Sequence, residues 1–406
     1  MSYELIPEGS ITDVAGFRAA GVHCGLKKDG ALDLALVVSD RPACCAGVFT
    51  TNRFQAAPVL YNRDAIHSDP RGVRAVAINS GCANACTGPE GDEDAREMAR
   101  LVGKAAGVDG NRVLVMSTGV IGQRLDLDKV GAGLAAAAPA LSDRGGHDAA
   151  RAIMTTDTRP KEVALRTRVA GAPVTLAGMA KGSGMISPNM ATMLSLIVTD
   201  AAVMPSALQP ILLYAVDRSF NCVTVDGDMS TNDTLLLLAN GVAGNPIIEG
   251  PDSPGFVELR DAVTETATAL AKKVAFDGEG ATKRVTIQVN GARSREEGRQ
   301  AAMAVANSPL SKTAIYGRDA NWGRFLCAVG YSGVAVDPGQ VDLWLGHLHL
   351  VKQGRPYDVN EERAAEILAC DDIVITVDLG MGSEPVTVWT CDLSHEYVSI
   401  NAHYRT

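Results

Sequence analysis

The chain has 406 residues, 46% hydrophobic and 4% aromatic, with 41 glycines and a formal charge of −10. That length suits two domains or one large one, and apolar content drawn mostly from Ala, Val, Leu and Ile suits tightly packed α/β layers. The negative balance argues against nucleic acid as a partner, since phosphate binding needs clustered Lys and Arg. No apolar run reaches the ~18–20 residues that span a bilayer, and the start, MSYELIPEGS, lacks a secretory pattern. Nine cysteines, an odd number without a regular framework, point to reduced thiols and a cytoplasmic protein.

Taken in chain order, Val73–Ile78 reads as a short strand, and Cys82 and Cys86 have ligand-like spacing without a second pair to complete a zinc site. Asp92–Gly107 reads as a helix with three acids at its positive end. Arg112–Met116 is a second short strand, and Met193–Val198 is a buried helix or strand. Asp226-Gly-Asp228 begins like a calcium loop but has Leu237 where the twelfth position needs Glu. Gly244–Gly255 is a surface loop, and Phe256, Leu259, Val263, Leu270 and Val274 recur at helical spacing within Pro254–Val274. Val285–Val289 alternates like a strand, and Ser294 with Glu297 forms a capping box ahead of a helix Glu297–Ala306. From Val341 onward alternation at Ile373, Ile375, Val377 and Leu379 predicts a mainly β region. His347 and His349 alternate there without a carboxylate partner nearby in sequence. Mixed in this way, the elements indicate an α/β or α+β fold.

The segment Lys181–Leu194, KGSGMISPNMATML, carries the chemistry. A mid-chain threonine hydroxyl is a poor nucleophile. If the chain is cut between Ala191 and Thr192, the new α-amine lies on the same residue as the hydroxyl and can act as its base. Such an amine titrates near pH ~7.7–8.0, where a base is useful. Gly182, Ser183, Gly184 and Pro188 make the approach a structured turn. By residue types alone the segment reads first as a Gly-rich loop before the buried element Met193–Val198. It resembles part of a phosphate loop, but the GK[ST] ending is missing.

KGSGMISPNMATML resembles the self-cleavage segment of the ornithine acetyltransferases (glutamate N-acetyltransferases) of arginine biosynthesis. So, in family order, do INSGCANACTG at Ile78–Gly88, MSTGVIG at Met116–Gly122 and IMTTDTRPK at Ile153–Lys161. FNCVTVDGDMSTNDT at Phe220–Thr234, SPLSKTAIYGRDANWGR at Ser308–Arg324 and INAHYRT at Ile400–Thr406 complete the set. The resemblance implies a four-layer α-β-β-α sandwich, arranged like N-terminal-nucleophile hydrolases, over residues 1–280. A smaller C-terminal α/β domain would span 281–406, its tail returning to the active site. It implies transfer of acetyl from N2-acetylornithine to glutamate through an acetyl-Thr192 ester, with no cofactor or metal. Acetyl-CoA stays open as an additional donor. Cleavage would give 1–191 and 192–406, assembled as α2β2.

By the same resemblance, Thr118 and Gly119 form the oxyanion hole, and Thr155, Lys181, Thr192, Glu279, Asn401 and Thr406 bind substrate. Lys181 suits an α-carboxylate and Glu279 an ammonium. The tail departs from the family at His403, where relatives usually carry Asp, which puts its local charge in doubt; Ser187 stands where many have His. Two other readings compete. One is an amidase or aminopeptidase on the same scaffold, told apart by whether acetylornithine is consumed without glutamate. The other is a non-catalytic nucleotide-binding or regulatory protein, told apart by whether the chain is found in two fragments.

Overall fold

One long strand, Leu34–Phe49, joins the two sheets of the larger unit. Its first part, Leu34–Val38, pairs antiparallel with Phe17–Val22 and with Val73–Cys82. The register then shifts between Val38 and Ala43, and Cys44–Phe49 pairs instead with Thr234–Ala239. Such an irregularity bends a strand and lets it leave one layer for another. The computed structural model describes residues 3–187 and 193–403.

The first layer contains Phe17–Val22, the start of the long strand, Val73–Cys82 and Val113–Val120. The second contains the end of the long strand, Thr234–Ala239, Leu194–Thr199, Ala172–Lys181, Lys161–Val169 and Glu4–Leu5. Side chains alternate across each strand, so each sheet has two apolar faces to cover. Val37, Val76, Ile78 and Met116 meet Met179, Leu196, Val198 and Leu236 between the sheets. On the outer face of the first sheet, Leu36, Ala77 and Val115 pack with Met98, Val102 and Leu134 from helices Gly88–Ala106 and Leu127–Ala140. On the outer face of the second, Leu176, Ile197 and Leu237 pack with Leu208, Leu212, Val263 and Leu270 from Pro205–Arg218 and Phe256–Ala275. The order is helix, sheet, sheet, helix, the expected four-layer sandwich. Leu194–Thr199 is buried on both faces, which is why it reads as a continuous apolar run.

A separate sheet of six strands runs Arg355–Pro356, Leu348–Lys352, Asp342–Leu345, Asp372–Asp378, Arg284–Ala292, Glu384–Cys391. Arg284–Ala292 and Asp372–Asp378 are parallel and the other pairs antiparallel. Thr224 N–H donates to Trp389 O at 3.1 Å, tying this sheet to the sandwich.

Several elements differ from the sequence expectation. Val73–Cys82 and Val113–Val120 run past Ile78 and Met116, and Thr118 and Gly119 lie at the end of the second strand. The helix expected at Asp92 begins at Gly88, with Pro89 in its first turn. Ser294 caps Arg295–Asn307 by accepting from Glu297 N at 3.3 Å. The reciprocal half of the capping box is absent because the Glu297 carboxylate bonds Arg293 at 3.0 Å. The region after Val341 is mainly β, as expected, with five strands among the described residues, though helices Glu361–Ala369 and His395–His403 interrupt and end it. His347 sits in the turn before Leu348–Lys352, while His349 stacks on Trp344 with ring centroids 4.3 Å apart, so the two do not share a strand face.

Candidate active site

Ala172–Lys181 ends beside the end of Val113–Val120, and this corner is built around Lys181. The lysine is 4% exposed and its Nζ donates to Thr118 Oγ1 at 3.4 Å. Burial pushes its pKa down, and the Asp157 carboxylate is the first group to oppose that shift. Since the Thr118 oxygen accepts from Lys181, its own hydroxyl hydrogen is free to donate elsewhere. Gly119 follows at φ 133, a conformation side chains rarely adopt, and a Cβ there would lie 2.3 Å from Gly81 C. Only glycine lets the two parallel strands approach this closely at the site.

Beneath the corner lies a buried ionic cluster. Lys161, 1% exposed, donates to Asp157 at 2.5 Å and to Asp277 at 2.6 Å. Burial alone would raise the Asp157 pKa, but Lys181 and Lys161 together hold it down at about 2. Asp157 also accepts from Gly182 N at 2.7 Å and Thr155 N at 2.9 Å. Asp277 accepts from Thr158 N at 3.1 Å and, through its backbone oxygen, from Ser183 Oγ at 2.6 Å. This cluster fixes the Thr155 turn, the Gly182–Ser183 turn and the Asp277–Glu279 turn against one another.

Glu279 N donates to Ser183 O at 2.9 Å, and Asn401 Nδ2 donates to Glu279 Oε2 at 2.8 Å. A Cβ on Gly184 would come within 2.3 Å of that same oxygen, so the turn has no room for one. Met185 follows at φ 59, a strained setting for a side-chain-bearing residue costing about 1–2 kcal/mol. It is held there by Asp226, which accepts from Met185 N at 2.6 Å and Ile186 N at 2.9 Å. Burial raises the Asp226 pKa and these N–H groups oppose it. Tyr397 OH donates to Asp226 at 3.3 Å. The C-terminal helix has no buried residues, and Tyr397 and Asn401 tie it to the site.

The result is one cavity of about 110 Å³. Thr118, Gly119, Thr155, Lys181, Glu279 and Asn401, all singled out in the sequence, line it together. Asp226, Asp228, Tyr397 and Asn232 also line it and were not singled out as site residues. Asp226, Asp228 and Asn232 stand in the DGDMSTND motif, a signal legible only as family resemblance. Ala191, Thr192 and Thr406 lie outside the described residues. Ser187 is buried, and His403 is exposed with its Nδ1 2.8 Å from Ser399 O. The lining is polarised, with a cation beside Thr118 and carboxylates toward the tail helix. It suits a small molecule carrying both charges. Among the described residues no group of three His, Cys, Asp or Glu is arranged to hold a metal ion. All nine cysteines are free, and no described helix is long and apolar enough to cross a membrane.

The ArgJ family model matches residues 18–406. The chain is 52% identical over 400 residues to the arginine biosynthesis bifunctional protein ArgJ of Symbiobacterium thermophilum, covering 98% of this chain and 99% of that protein. It is 49% identical over 396 residues to the protein of the same name from Geobacter sulfurreducens, covering 97% and 100%. A solved ornithine acetyltransferase from Mycobacterium tuberculosis, in complex with ornithine, is 43% identical, with a TM-score of 0.43, over 48% of this chain and 100% of that one.

Proposed function

The chain belongs to the ArgJ family, and we propose that it transfers the acetyl group of N2-acetylornithine to glutamate through an ester on Thr192. The observation that carries this reading is the convergence of Thr118, Gly119, Lys181, Glu279 and Asn401 on one small cavity. Leu194, two residues after Thr192, opens a strand and pairs with Lys181 at the end of the neighbouring strand.

In this reading the chain cuts itself before Thr192. The hydroxyl, with the new amine as base, attacks the acetyl carbonyl; Thr118 and Gly119 receive the negative charge, and ornithine leaves. Glutamate then enters the same pocket and takes the acetyl group by the reverse steps. Lys181 holds the α-carboxylate common to both substrates, Glu279 meets the ammonium, and Thr155, Asn401 and Thr406 complete the contacts. No cofactor or metal is required, because the ester conserves the acyl group. The relatives at 52% and 49% identity are named bifunctional, and on that ground acetyl-CoA is a second acetyl donor. The two pieces stay together as α2β2 in a reducing, cytoplasmic setting that suits nine free thiols.

The test is to supply acetylornithine with and without glutamate, and acetyl-CoA with glutamate. Consumption of acetylornithine only when glutamate is present, and acetylglutamate from both donors, is expected. Hydrolysis of acetylornithine without glutamate would make the protein an amidase instead.

A further inference from the structure

The cavity is lined mostly by polar groups, and among the described residues three wholly aliphatic side chains interrupt them: Ala83, Ile121 and Met185. Met185 belongs to the acidic end. Its N–H donates to Asp226 at 2.6 Å, and it follows Gly184, which sits against the Glu279 carboxylate. Ala83 and Ile121 belong to the opposite corner. Ala83 N donates to Val120 O at 3.0 Å, so Ala83 lies against the residue between Gly119 and Ile121. Ala83 O accepts from Asn232 Nδ2 at 2.6 Å, and the same Nδ2 donates to Ser117 O at 2.8 Å. Asn232 Oδ1 in turn accepts from Thr231 Oγ1 at 2.6 Å, so the whole Asn232 amide is engaged in this bracket. Ala83 is buried, and the half-buried Ile121 packs against the small cluster of Ala56, Val59, Ala83 and Ala85. An apolar wall is thereby fixed beside Thr118 and Gly119.

An acyl group carries its carbonyl oxygen and its alkyl end on the same carbon. If the oxygen sits at Thr118 and Gly119, the alkyl end lies at the same corner. It needs a lining without polar atoms, because a polar group left facing it would lose its water without a replacement partner. Lys181, Asp226, Asp228 and Glu279 cannot supply that lining, whereas Ala83 and Ile121 can. We infer that Ala83 and Ile121 form the acyl pocket and set the length of the acyl group, admitting acetyl and rejecting longer chains. The wall does not retreat before a longer chain, since both backbone groups of Ala83 are bonded. Its side chain is a single methyl, which leaves the space that a short acyl group fills. Ile121 closes the far side of that space. A hydrophobic pocket of this kind distinguishes one methylene by ~10–200-fold. The amino-acid part of the substrate, held by Lys181 and Glu279, makes the same contacts whatever acyl group it carries.

This inference rests on the reading that acyl transfer from ornithine takes place in this cavity, and its test separates the two. N2-acetyl-, N2-propionyl- and N2-butyrylornithine are compared as donors, with and without glutamate, by following donor consumption. Wild type is expected to use the propionyl donor ~10–200-fold less well than the acetyl donor in kcat/KM. Ile121→Ala opens the pocket and is expected to raise the propionyl-to-acetyl ratio by about tenfold or more. Ile121→Val, the milder change, should move the ratio the same way by a smaller factor. Ala83→Val fills the pocket and is expected to lower kcat/KM for the acetyl donor by about tenfold or more, while N2-formylornithine keeps its wild-type value within about threefold. Free ornithine has no acyl group, so its Kd, read by calorimetry, should stay within about twofold of wild type in every variant. A wild type that uses propionyl as readily as acetyl overturns the proposal. So does an unchanged ratio in both Ile121 variants, or a loss of ornithine affinity as large as the loss of acetyl turnover. Consumption of acetylornithine without glutamate would refute the transferase reading instead, and the order of acyl lengths would still report on the pocket.

Discussion

Thr118→Val removes one hydroxyl and keeps the shape of the side chain. The hydroxyl oxygen accepts from the buried Lys181 Nζ at 3.4 Å, which leaves its hydrogen to donate into the cavity. Losing a single oxyanion donor costs ~2.7–4 kcal/mol in the transition state, or about 10²–10³ in kcat. The ground-state carbonyl gains far less from the same donor, so KM for acetylornithine is expected to change little. Folding loses one long hydrogen bond, about 0.5–1.5 kcal/mol, too little to unfold the protein. Initial rates over a range of acetylornithine at saturating glutamate read both constants, and Thr118→Ser serves as the rescue. A drop in kcat of less than tenfold, or a raised KM with kcat intact, would refute the oxyanion role. Thr118 would then be a support for Lys181 and nothing more.

Lys161→Met leaves Asp157 and Asp277 buried without their shared cation, and breaking such a pair costs about 3–5 kcal/mol; a midpoint within two degrees or so of wild type would contradict this. The Asp157 pKa lies below its ordinary 3.8, at about 2. Its ionised form therefore stabilises the fold above pH ~4, and that stability is lost as pH falls from ~4 through 2; acid unfolding curves of wild type and Asp157→Asn should converge below that window. Gly184→Ala pushes a methyl against the Glu279 carboxylate and is expected to raise KM for acetylornithine at least tenfold, with the fold retained as read by circular dichroism. Activity is expected to survive EDTA, and loss restored by one divalent ion would show that a metal had been missed.

How much of this was legible before the structure differs from residue to residue. Thr118, Lys181, Glu279 and Asn401 were legible only because their motifs resemble a family. Nothing in periodicity brings position 118 to 181, or 279 to 401. Val73–Ile78 was legible as a strand, but its continuation to Cys82 was not. Asn79 and Ser80 look like turn residues until their buried partners are seen: Asn79 Nδ2 donates to Cys82 O at 2.8 Å and Ser80 Oγ to Ala152 O at 2.6 Å. The helix His395–His403 escaped because it buries no side chain and so carries no apolar stripe. Two side-chain hydrogen bonds tie it to the site.

The central claim is that Thr192 carries the acetyl group. Intact-mass measurement of freshly purified protein, quenched after incubation with acetylornithine alone, tests it most directly. The account predicts fragments 1–191 and 192–406, one acetyl group on the second, and loss of that group when glutamate is added. A single uncut, fully active chain, or two fragments that stay unacetylated while turnover proceeds, would contradict it.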